Sequence, residues 1–417
     1  MYPTIYHVFY DWFGWEIPAL KILNSFGFFV AMAFIAASYT LTRELERKDK
    51  FFEIEKRKVI IGKGVQWGEV SISAFIGFIM GWKVIWLMME SGTLFSPGET
   101  PQQHIFSMAG YPLLGLTLAA ILGGLKYREY KKNELPEPQE KVIDFHKYEY
   151  TGQITLVAAI GGIAGAKFFH LFENPDEFMQ FFKEPTLNNF LSGLTIYGGL
   201  ICGGLIVWLY TRKKKIKTFH MMDAAAPGLI LAYGVGRIGC QISGDGDWGI
   251  ANVNPKPEWL SWLPDWLWAY EYPNNVNGVF GPQFGTFQGG YRGLKISEAD
   301  PWPIFEGYGT YLDPGVYPTP VYETTLALII FGVLWYLRKR INIPGMIFAL
   351  YLMANGIERF FIEKIRVNNK SEFFRETLGI EITQAEIIST CFFLAGAIFA
   401  FWLWRNKDKL DRYPRLV

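Results

Sequence analysis

One apolar segment of this chain contains an arginine, Arg237, although a cation at membrane depth is costly unless it faces protein, water or an anion. Three glycines flank it: Gly234, Gly236 and Gly239. They remove side chains around the guanidinium, so that a neighbouring helix or a bulky head group can approach closely. The segment ends in a glycine-rich turn with Asp245 and Asp247. We interpret this stretch as an anion site at a membrane surface; the alternative is an arginine that pairs with a carboxylate inside a helix bundle.

A second group of polar residues lies in a later apolar segment: Asn355, Arg359, Glu363 and Arg366. Their spacing of four, four and three positions puts them along one stripe of a helix. Two arginines that bracket a carboxylate can hold an anion while the carboxylate fixes the guanidinium geometry. A single stripe of this kind favours an interfacial helix whose charges reach water. Two such groups at equal depth favour a functional site instead.

The overall composition is that of a membrane protein: 50% of the 417 residues are hydrophobic, 17% are aromatic and 19% are charged. The formal net charge of +1 gives no reason to expect a nucleic-acid partner. Nine segments are apolar over about 20 residues, the length that spans a bilayer. They run over roughly 19–41, 68–90, 106–126, 152–172, 190–210, 221–241, 321–338, 344–363 and 386–404.

Lysine and arginine concentrate in alternate loops between these segments, at 43–58, 126–132, 212–217, 338–340 and 405–415. By the positive-inside rule these loops are cytoplasmic, the N-terminus is outside and the C-terminus is cytoplasmic. An odd number of spans satisfies both ends. Arg237 and Arg359 then both lie at the outer ends of their spans, in the same leaflet.

The longest polar segment, 242–320, is therefore expected outside the cytoplasm. It is rich in tryptophan: Trp248, Trp259, Trp262, Trp266, Trp268 and Trp302. Such a composition is typical of an interfacial cap whose aromatic side chains lie at head-group level. We predict an all-α polytopic membrane protein in which residues 1–417 form a single membrane domain, with about nine transmembrane helices and an extracytoplasmic, aromatic-rich cap at 242–320.

The chain also contains an internal repeat, because 67–72 is similar to 151–156. Further matches occur at the same offset: Gly77, Gly81 and Lys83 correspond to Gly161, Gly165 and Lys167. Both copies run in the same direction, which indicates a duplicated helix pair rather than the inverted repeat of many transporters. Convergence of two glycine-rich helices on similar sequences is the alternative.

No metal or cofactor is expected. Three cysteines lie in or beside apolar segments, so neither a disulfide framework nor a metal site is implied: Cys202, Cys240 and Cys391. No group of His, Cys, Asp and Glu has the spacing of metal ligands. The first residues are aromatic and acidic, so we expect no cleavable signal peptide.

Four motifs, in this order, resemble the prolipoprotein diacylglyceryl transferase family: Tyr197-Gly198-Gly199-Leu200, then Gly236-Arg237-Ile238-Gly239 through Gly244-Asp245 to Trp248-Gly249, then Pro318-Thr319-Pro320-Val321-Tyr322-Glu323, and Gly356 with Arg359, Phe360, Glu363 and Arg366. The resemblance covers the first span and about 150–404. The helix pair at 60–135 resembles an insertion into the family's seven-helix core. The resemblance implies an enzyme of the bacterial cytoplasmic (inner) membrane. It would transfer the diacylglyceryl group of phosphatidylglycerol to the lipobox cysteine in the signal peptide of a preprolipoprotein, and release glycerol phosphate.

The chain departs from the family pattern at several positions. Tyr197 replaces a histidine, Cys240 replaces an asparagine, and Asp245 replaces a glutamate. Tyr317 replaces a histidine that often precedes the Tyr-Glu motif. The arginine framework is retained but the usual histidine is not, so the general base stays open. His170 could replace it, although an interfacial histidine without a catalytic role is the simpler interpretation.

The chemistry needs a thiolate and a leaving phosphate whose charge is neutralised. We therefore expect Arg237 and Arg359 at the lipid phosphate, Glu363 as the residue that orients Arg359 or accepts a proton, and Tyr197 as a hydrogen-bonding partner of phosphate or thiol. The expected substrate-binding residues are Arg237, Gly198, Gly199, Gly239, Asp245, Tyr322, Glu323 and Arg366, with the two adjacent glycines leaving space for acyl chains or peptide. The rival interpretations are a lipid transporter or lipid-binding protein with the same arginines, and an inactive scaffold.

Overall fold

The computed structural model describes residues 1–90, 104, 107–174, 195–278, 289–367 and 382–410. These parts of the chain are mainly helical. The helices are α1 (Ile5–Phe13), α2 (Ser25–Arg47), α3 (Trp67–Met89, with a π-helical turn at Met80–Val84), α4 (Pro112–Asn133), α5 (Thr151–Glu173), α6 (Ile196–Lys213), α7 (Thr218–Ser243), α8 (Thr319–Leu337), α9 (Met346–Glu363) and α10 (Gln384–Arg405).

Five helices in the described residues are long and apolar enough to cross a membrane: α2, α3, α5 with its preceding 3₁₀ turn, α8 and α10. Apolar side chains on their surfaces are exposed, for example Ile35, Phe75, Ile160 and Ile398, as expected of helices that face lipid rather than water. The protein is therefore a multi-pass helical membrane protein. The helices that carry the charged motifs, α7 and α9, are not among the five.

The described residues also contain two small antiparallel sheets of two strands each, which the all-α prediction did not include. Strands β1 (Glu55–Ile61) and β2 (Gln139–Phe145) pair from Glu55 opposite Phe145 to Ile61 opposite Gln139. Strands β3 (Arg292–Lys295) and β4 (Thr310–Asp313) pair within the segment after α7. All four strands are short and rich in polar residues, and they form by pairing between distant parts of the chain, which explains why the sequence pattern did not reveal them.

The central helices pack through small residues. Helix α7 packs against α2 and α8, and α9 packs against α10. A Cβ atom on Gly239 would lie 2.9 Å from Cβ of Phe29 in α2, and one on Gly356 would lie 2.6 Å from the backbone oxygen of Ser389 in α10. Glycine at these positions allows the close approach of helix backbones that stabilises bundles in membranes.

Buried polar contacts fix which helix ends lie together. Asp223 near the start of α7 accepts hydrogen bonds from the backbone N–H groups of Gly345 (2.8 Å) and Phe348 (3.0 Å), and so caps the N-terminus of α9. Glu44 near the end of α2 forms an ion pair with Arg338 at the end of α8. The other ends of these helices therefore form a second face of the bundle, which we call the site end. It contains the C-termini of α7 and α9 and the N-terminus of α8.

The residues after α7 form a small core at the site end. Trp248, Tyr272, Leu312 and Val316 are each at most 1% exposed. The ring centroids of Trp248 and Tyr272 lie 4.9 Å apart. Thus Trp248, which we expected at head-group level, holds this segment together, whereas Trp259 and Trp262 are exposed.

Helix pairs α3–α4 and α5–α6 make the same contacts at positions that correspond in the internal repeat. Tyr111 N–H, just before α4, donates to the backbone oxygen of Trp82 at 2.9 Å, and Thr195 N–H, just before α6, donates to that of Ala166 at 3.1 Å. At the other end of each pair, the Lys126–Glu69 ion pair (3.6 Å) corresponds to a hydrogen bond of 2.5 Å from Tyr210 to Gln153. The repeat seen in the sequence is therefore also a repeat of tertiary contacts.

Candidate active site

Glu323 is the centre of a cluster of charged side chains at the site end. It lies in the second turn of α8, and its side chain is fully buried. It forms an ion pair with Arg237. It also accepts hydrogen bonds from the Tyr233 hydroxyl at 2.8 Å and from Nη1 of Arg366 at 2.9 Å. Donors from α7 and from the residues after α9 therefore converge on this carboxylate.

Arg359 is the most exposed of the three arginines in the cluster. Its side chain is 26% exposed, against 12% for Arg237 and 9% for Arg366. Nη2 of Arg359 lies 3.2 Å from Glu363 Oε2, one turn further along α9, and Nη1 lies 3.6 Å from Glu323 Oε1. Both distances are longer than the 2.7–2.9 Å typical of a tight charge-assisted hydrogen bond. Arg359 therefore keeps hydrogen-bonding capacity for an incoming anion.

Arg237, in contrast, is held by two carboxylates. Its Nε pairs with Glu323, and its Nη1 pairs with Asp247 in the turn after α7. The same Nη1 also lies 3.6 Å from Sγ of Cys240. Arg237 thus pairs with carboxylates inside the bundle, as the alternative interpretation of the sequence predicted, and anion binding at Arg237 stays a prediction.

The turn after α7 links two arginines. Gly244 and Gly246 have φ angles of +64° and +100°, which residues with a Cβ rarely adopt. They let the chain turn back so that Asp247 also pairs with Nη2 of Arg366 at 2.8 Å. Burial alone would raise the pKa of Asp247, but Arg237 and Arg366 outweigh burial and lower this pKa to about 2. Asp247 is therefore ionised and bridges the two guanidinium groups.

Backbone contacts hold this turn against the two neighbouring segments. Gly249 N–H donates to the backbone oxygen of Tyr317 at 2.9 Å, and Ile250 N–H donates to that of Ile365 at 2.9 Å. The Thr319 hydroxyl donates to the Asp247 backbone oxygen at 2.9 Å. The three motifs that carry Arg237, Glu323 and Arg366 are thereby held in fixed relative positions.

Tyr322 and Asp245, two further predicted site residues, bond to backbone atoms of the segment after α7. The Tyr322 hydroxyl donates to the backbone oxygen of Leu267 in the segment after α7, so it fastens that segment to α8. Asp245 accepts from the Asp247 N–H at 3.3 Å, and burial, followed by the charge of Asp247, raises its pKa. Tyr197 lies in the first turn of α6. Its side chain is outside the described structure, so its contact with the lipid phosphate or the thiol stays a prediction.

The predicted glycines pack against neighbouring helices, and their role in substrate binding stays a prediction. A Cβ on Gly198 would lie 2.4 Å from Cβ of Phe169, and one on Gly199 would lie 3.1 Å from the backbone oxygen of Gly162. Both glycines therefore face α5, where the space beside them is already occupied by that helix. Gly239 faces α2 in the same way. These contacts give the three glycines a role in helix packing.

Sequence reasoning did not assign three residues that contact the cluster. Tyr233 donates to Glu323, Asp247 bridges two arginines, and Glu358 lies 3.5 Å from the Tyr233 hydroxyl. Asp247 stood in the stretch first recognised around Arg237, and a search for an acidic partner of that arginine would have found it. Tyr233 and Glu358 had no such signal, because their partners come from other helices.

One group of possible metal ligands occurs in the described residues. Cys240, Asp245 and Asp247 have ligand atoms within 4.8 Å of one another, although we had expected no such grouping. Asp247 already pairs with two arginines, and these cations would repel a metal ion. The geometry therefore favours an anion partner for the cluster over a cation.

Comparisons with known proteins agree with the motifs. The sequence profile of the prolipoprotein diacylglyceryl transferase family matches residues 103–402. A phosphatidylglycerol–prolipoprotein diacylglyceryl transferase of Corynebacterium efficiens is 31% identical over 258 residues, which make up 61% of this chain and 68% of that protein. The protein of the same name from Corynebacterium diphtheriae is 26% identical over 325 residues, 75% of this chain and 96% of that protein.

The matched segment differs at its start from the one expected. It begins at 103, so it includes α4 and leaves out α2, whereas the motifs suggested the first span together with about 150–404. It contains all four motifs and the whole charged cluster. Because the profile matches well over half of the chain, the protein belongs to the prolipoprotein diacylglyceryl transferase family.

Proposed function

We propose that this enzyme transfers the diacylglyceryl group of phosphatidylglycerol to the thiol of the lipobox cysteine in a preprolipoprotein. A carbon–sulfur bond forms at the glycerol carbon of the lipid, and the bond from that carbon to the phosphate oxygen breaks. The thiol proton leaves, and glycerol phosphate departs with the electron pair of the broken bond. The product is a thioether, and the reaction is the first step of lipoprotein maturation.

The single observation that carries the proposal is the uneven exposure of three arginines around Glu323. Phosphatidylglycerol has an anionic phosphodiester, and its leaving group gains negative charge as the carbon–oxygen bond breaks. Arg359 is partly exposed, and its contacts with Glu323 and Glu363 in the described part of the chain are long, so its guanidinium fork is available to that charge. We assign Arg359 to the phosphate.

The other charged residues have supporting roles in this proposal. Glu363 orients Arg359 from one turn away, as expected from the sequence. Arg237 and Arg366 share Asp247 and Glu323, so they hold the cluster rigid and add positive potential beside the phosphate. We keep Tyr197 as a hydrogen-bonding partner of phosphate or thiol. The base that receives the thiol proton stays open, as it does in the sequence.

We also propose the orientation of the protein in a bacterial cytoplasmic membrane. The site end, the N-terminus and the 242–320 cap lie outside, and the C-terminus is cytoplasmic. Nine long helices among the described residues, α2 to α10, would be the nine spans. The alternation of basic loops supports this orientation. The charged residues of α7 and α9 lower the apolarity of these two helices, and the proposed chemistry requires charge at those positions.

We propose further that α3–α4, within 60–135, is a duplicate of α5–α6. The corresponding backbone contacts and the shared direction of the two pairs support this origin. The position equivalent to Tyr197 in the first pair is Leu113, which is 79% exposed. The duplicate would therefore have kept the packing of the original pair without its polar residue.

The proposal is tested with the purified protein, phosphatidylglycerol and a synthetic peptide that contains a lipobox cysteine. Mass spectrometry should show the mass of one diacylglyceryl group on the peptide. A peptide with serine in place of the cysteine is the control. If phosphatidylglycerol binds but the cysteine peptide gains no mass, the protein is a lipid-binding or lipid-transporting member of the family and the proposal is wrong.

A further inference from the structure

Glu358 is a buried carboxyl group that the proposed reaction does not use. It lies in α9 directly before Arg359 and is 4% exposed. Its Oε1 lies 3.5 Å from the Tyr233 hydroxyl oxygen. Within the described residues, its Oε2 is buried and has no hydrogen-bond partner. Unlike Glu323, it has no ion pair in this part of the chain, which is unusual for a buried carboxylate.

The Tyr233 hydroxyl indicates where a proton lies. This hydroxyl has one hydrogen, and the 2.8 Å distance to Glu323 shows that Glu323 accepts it. The hydroxyl oxygen therefore presents lone pairs to its other neighbour, Oε1 of Glu358. A carboxylate at Glu358 would oppose these lone pairs, whereas a carboxylic acid would donate to them. At 3.5 Å Glu358 gains no close hydrogen bond from Tyr233 that would stabilise a carboxylate.

The charge of the cluster leads to the same assignment. Three arginines, Arg237, Arg359 and Arg366, stand against three carboxylates, Glu323, Glu363 and Asp247. A proton on Glu358 adds no negative charge to this group, which also contains the carboxyl of Asp245 beside Asp247. Without that proton the cluster would carry an additional negative charge next to the residue assigned to an anionic lipid phosphate, and in a site of low dielectric such repulsion is strong.

We propose, on the basis of the function proposed above, that Glu358 is a positioning residue that binds a proton and thereby controls the affinity for phosphatidylglycerol. With the proton it is neutral beside Tyr233 and leaves Arg359 free to bind the phosphate. Without it, Glu358 attracts Arg359 and repels the phosphate. The charged and titratable groups that interact with Glu358 are Tyr233 and Arg237 of α7, Glu323 of α8, and Tyr351 and Arg359 of α9.

The test is the KM for phosphatidylglycerol as a function of pH, measured with the full-length enzyme and the lipobox peptide. In the unmodified enzyme we expect KM to rise about tenfold between about pH 6.5 and about pH 9, as one added charge at close range would cause. In Glu358→Gln, which cannot ionise, KM should change less than about twofold over the same range. A merely structural residue would alter KM equally at every pH.

Glu386→Gln is the matched control, because Glu386 is a buried glutamate at the N-terminus of α10 that pairs with Lys364 outside the cluster. It should keep the pH dependence of the unmodified enzyme. If Glu358→Gln fails to fold, Glu358→Leu is also neutral and carries the same expectation. A KM that rises equally in the unmodified enzyme and the neutral variant, or a flat KM in the unmodified enzyme, overturns this inference. Absence of any transfer product at every pH overturns the proposed function instead.

Discussion

Replacing Arg359 by alanine should separate catalysis from folding. The arginine is 26% exposed and has only contacts of 3.2 and 3.6 Å with Glu363 and Glu323. Its removal leaves Glu323 paired with Arg237, Arg366 and Tyr233. We therefore expect a small loss of stability, about 1 kcal/mol or less. The rate of transfer should fall on the order of 10²–10³-fold, the effect of removing one donor to a developing anion.

Replacing Arg237 by alanine should lower both the stability of the protein and the rate of transfer. Arg237 is 12% exposed and pairs with Asp247 and with the fully buried Glu323. Loss of one partner from a buried ion pair costs about 3–5 kcal/mol when the remaining charge is left uncompensated. Glu323 keeps Arg366 and Tyr233 as partners, so we expect a cost at or below the lower end of this range. We expect a clear decrease in the thermal unfolding temperature together with loss of transfer. Arg359→Lys should also lose most transfer, since an ammonium cannot replace a planar fork.

The assay combines initial rates of lipobox-peptide modification with thermal unfolding of each purified variant in the same detergent. Arg292→Ala is the matched control, because Arg292 pairs with Asp313 at 2.8 Å in the β3–β4 sheet and lies outside the cluster. It should leave the rate of transfer unchanged. Near-normal transfer in Arg359→Ala would refute the phosphate assignment. An unchanged unfolding temperature in Arg237→Ala would refute the argument about uncompensated buried charge.

Three further changes have defined outcomes. Asp247→Asn should destabilise the protein at neutral pH by about 1 kcal/mol, a value reduced for the 39% exposure of the side chain. Because its pKa is lowered to about 2, the contribution is present above about pH 4 and is lost as the pH falls toward 2, so the unfolding temperatures of variant and unmodified protein should converge in acid. Tyr197→Phe should reduce transfer without abolishing it and Tyr197→His should retain activity; complete loss in Tyr197→Phe with intact lipid binding would instead make Tyr197 the base. Joining Ile61 to Gln139, which are paired ends of β1 and β2, through an Asn-Gly turn removes α3–α4. This deletion should keep transfer within about an order of magnitude, because the described contacts of Glu323 come from other helices, and total loss in a folded protein would show that the helix pair has a catalytic role.

Much of the fold could be predicted from local sequence. An apolar run of bilayer length forms a helix whatever its neighbours, since backbone groups in lipid must be paired within the segment, and five of the predicted segments are helices long and apolar enough to cross a membrane. Some helices extend beyond the predicted spans: α2 continues to Arg47 because Glu44, Arg47 and Arg338 form a buried ion cluster that pattern analysis cannot detect. The strands escaped prediction for the same reason, as their partners are distant in the chain.

The sequence by itself determined which residues are chemically competent: arginines in apolar segments are too costly to retain without a partner, and Arg237 and Arg359 could be recognised on that ground alone. Only the tertiary structure decided how these residues differ. Arg237 is held by Asp247 and Glu323, whereas Arg359 remains accessible. The physical reason is that the strength of an ion pair depends on distance and burial, and both are set where α7, α8 and α9 pack together rather than by any one segment of the chain.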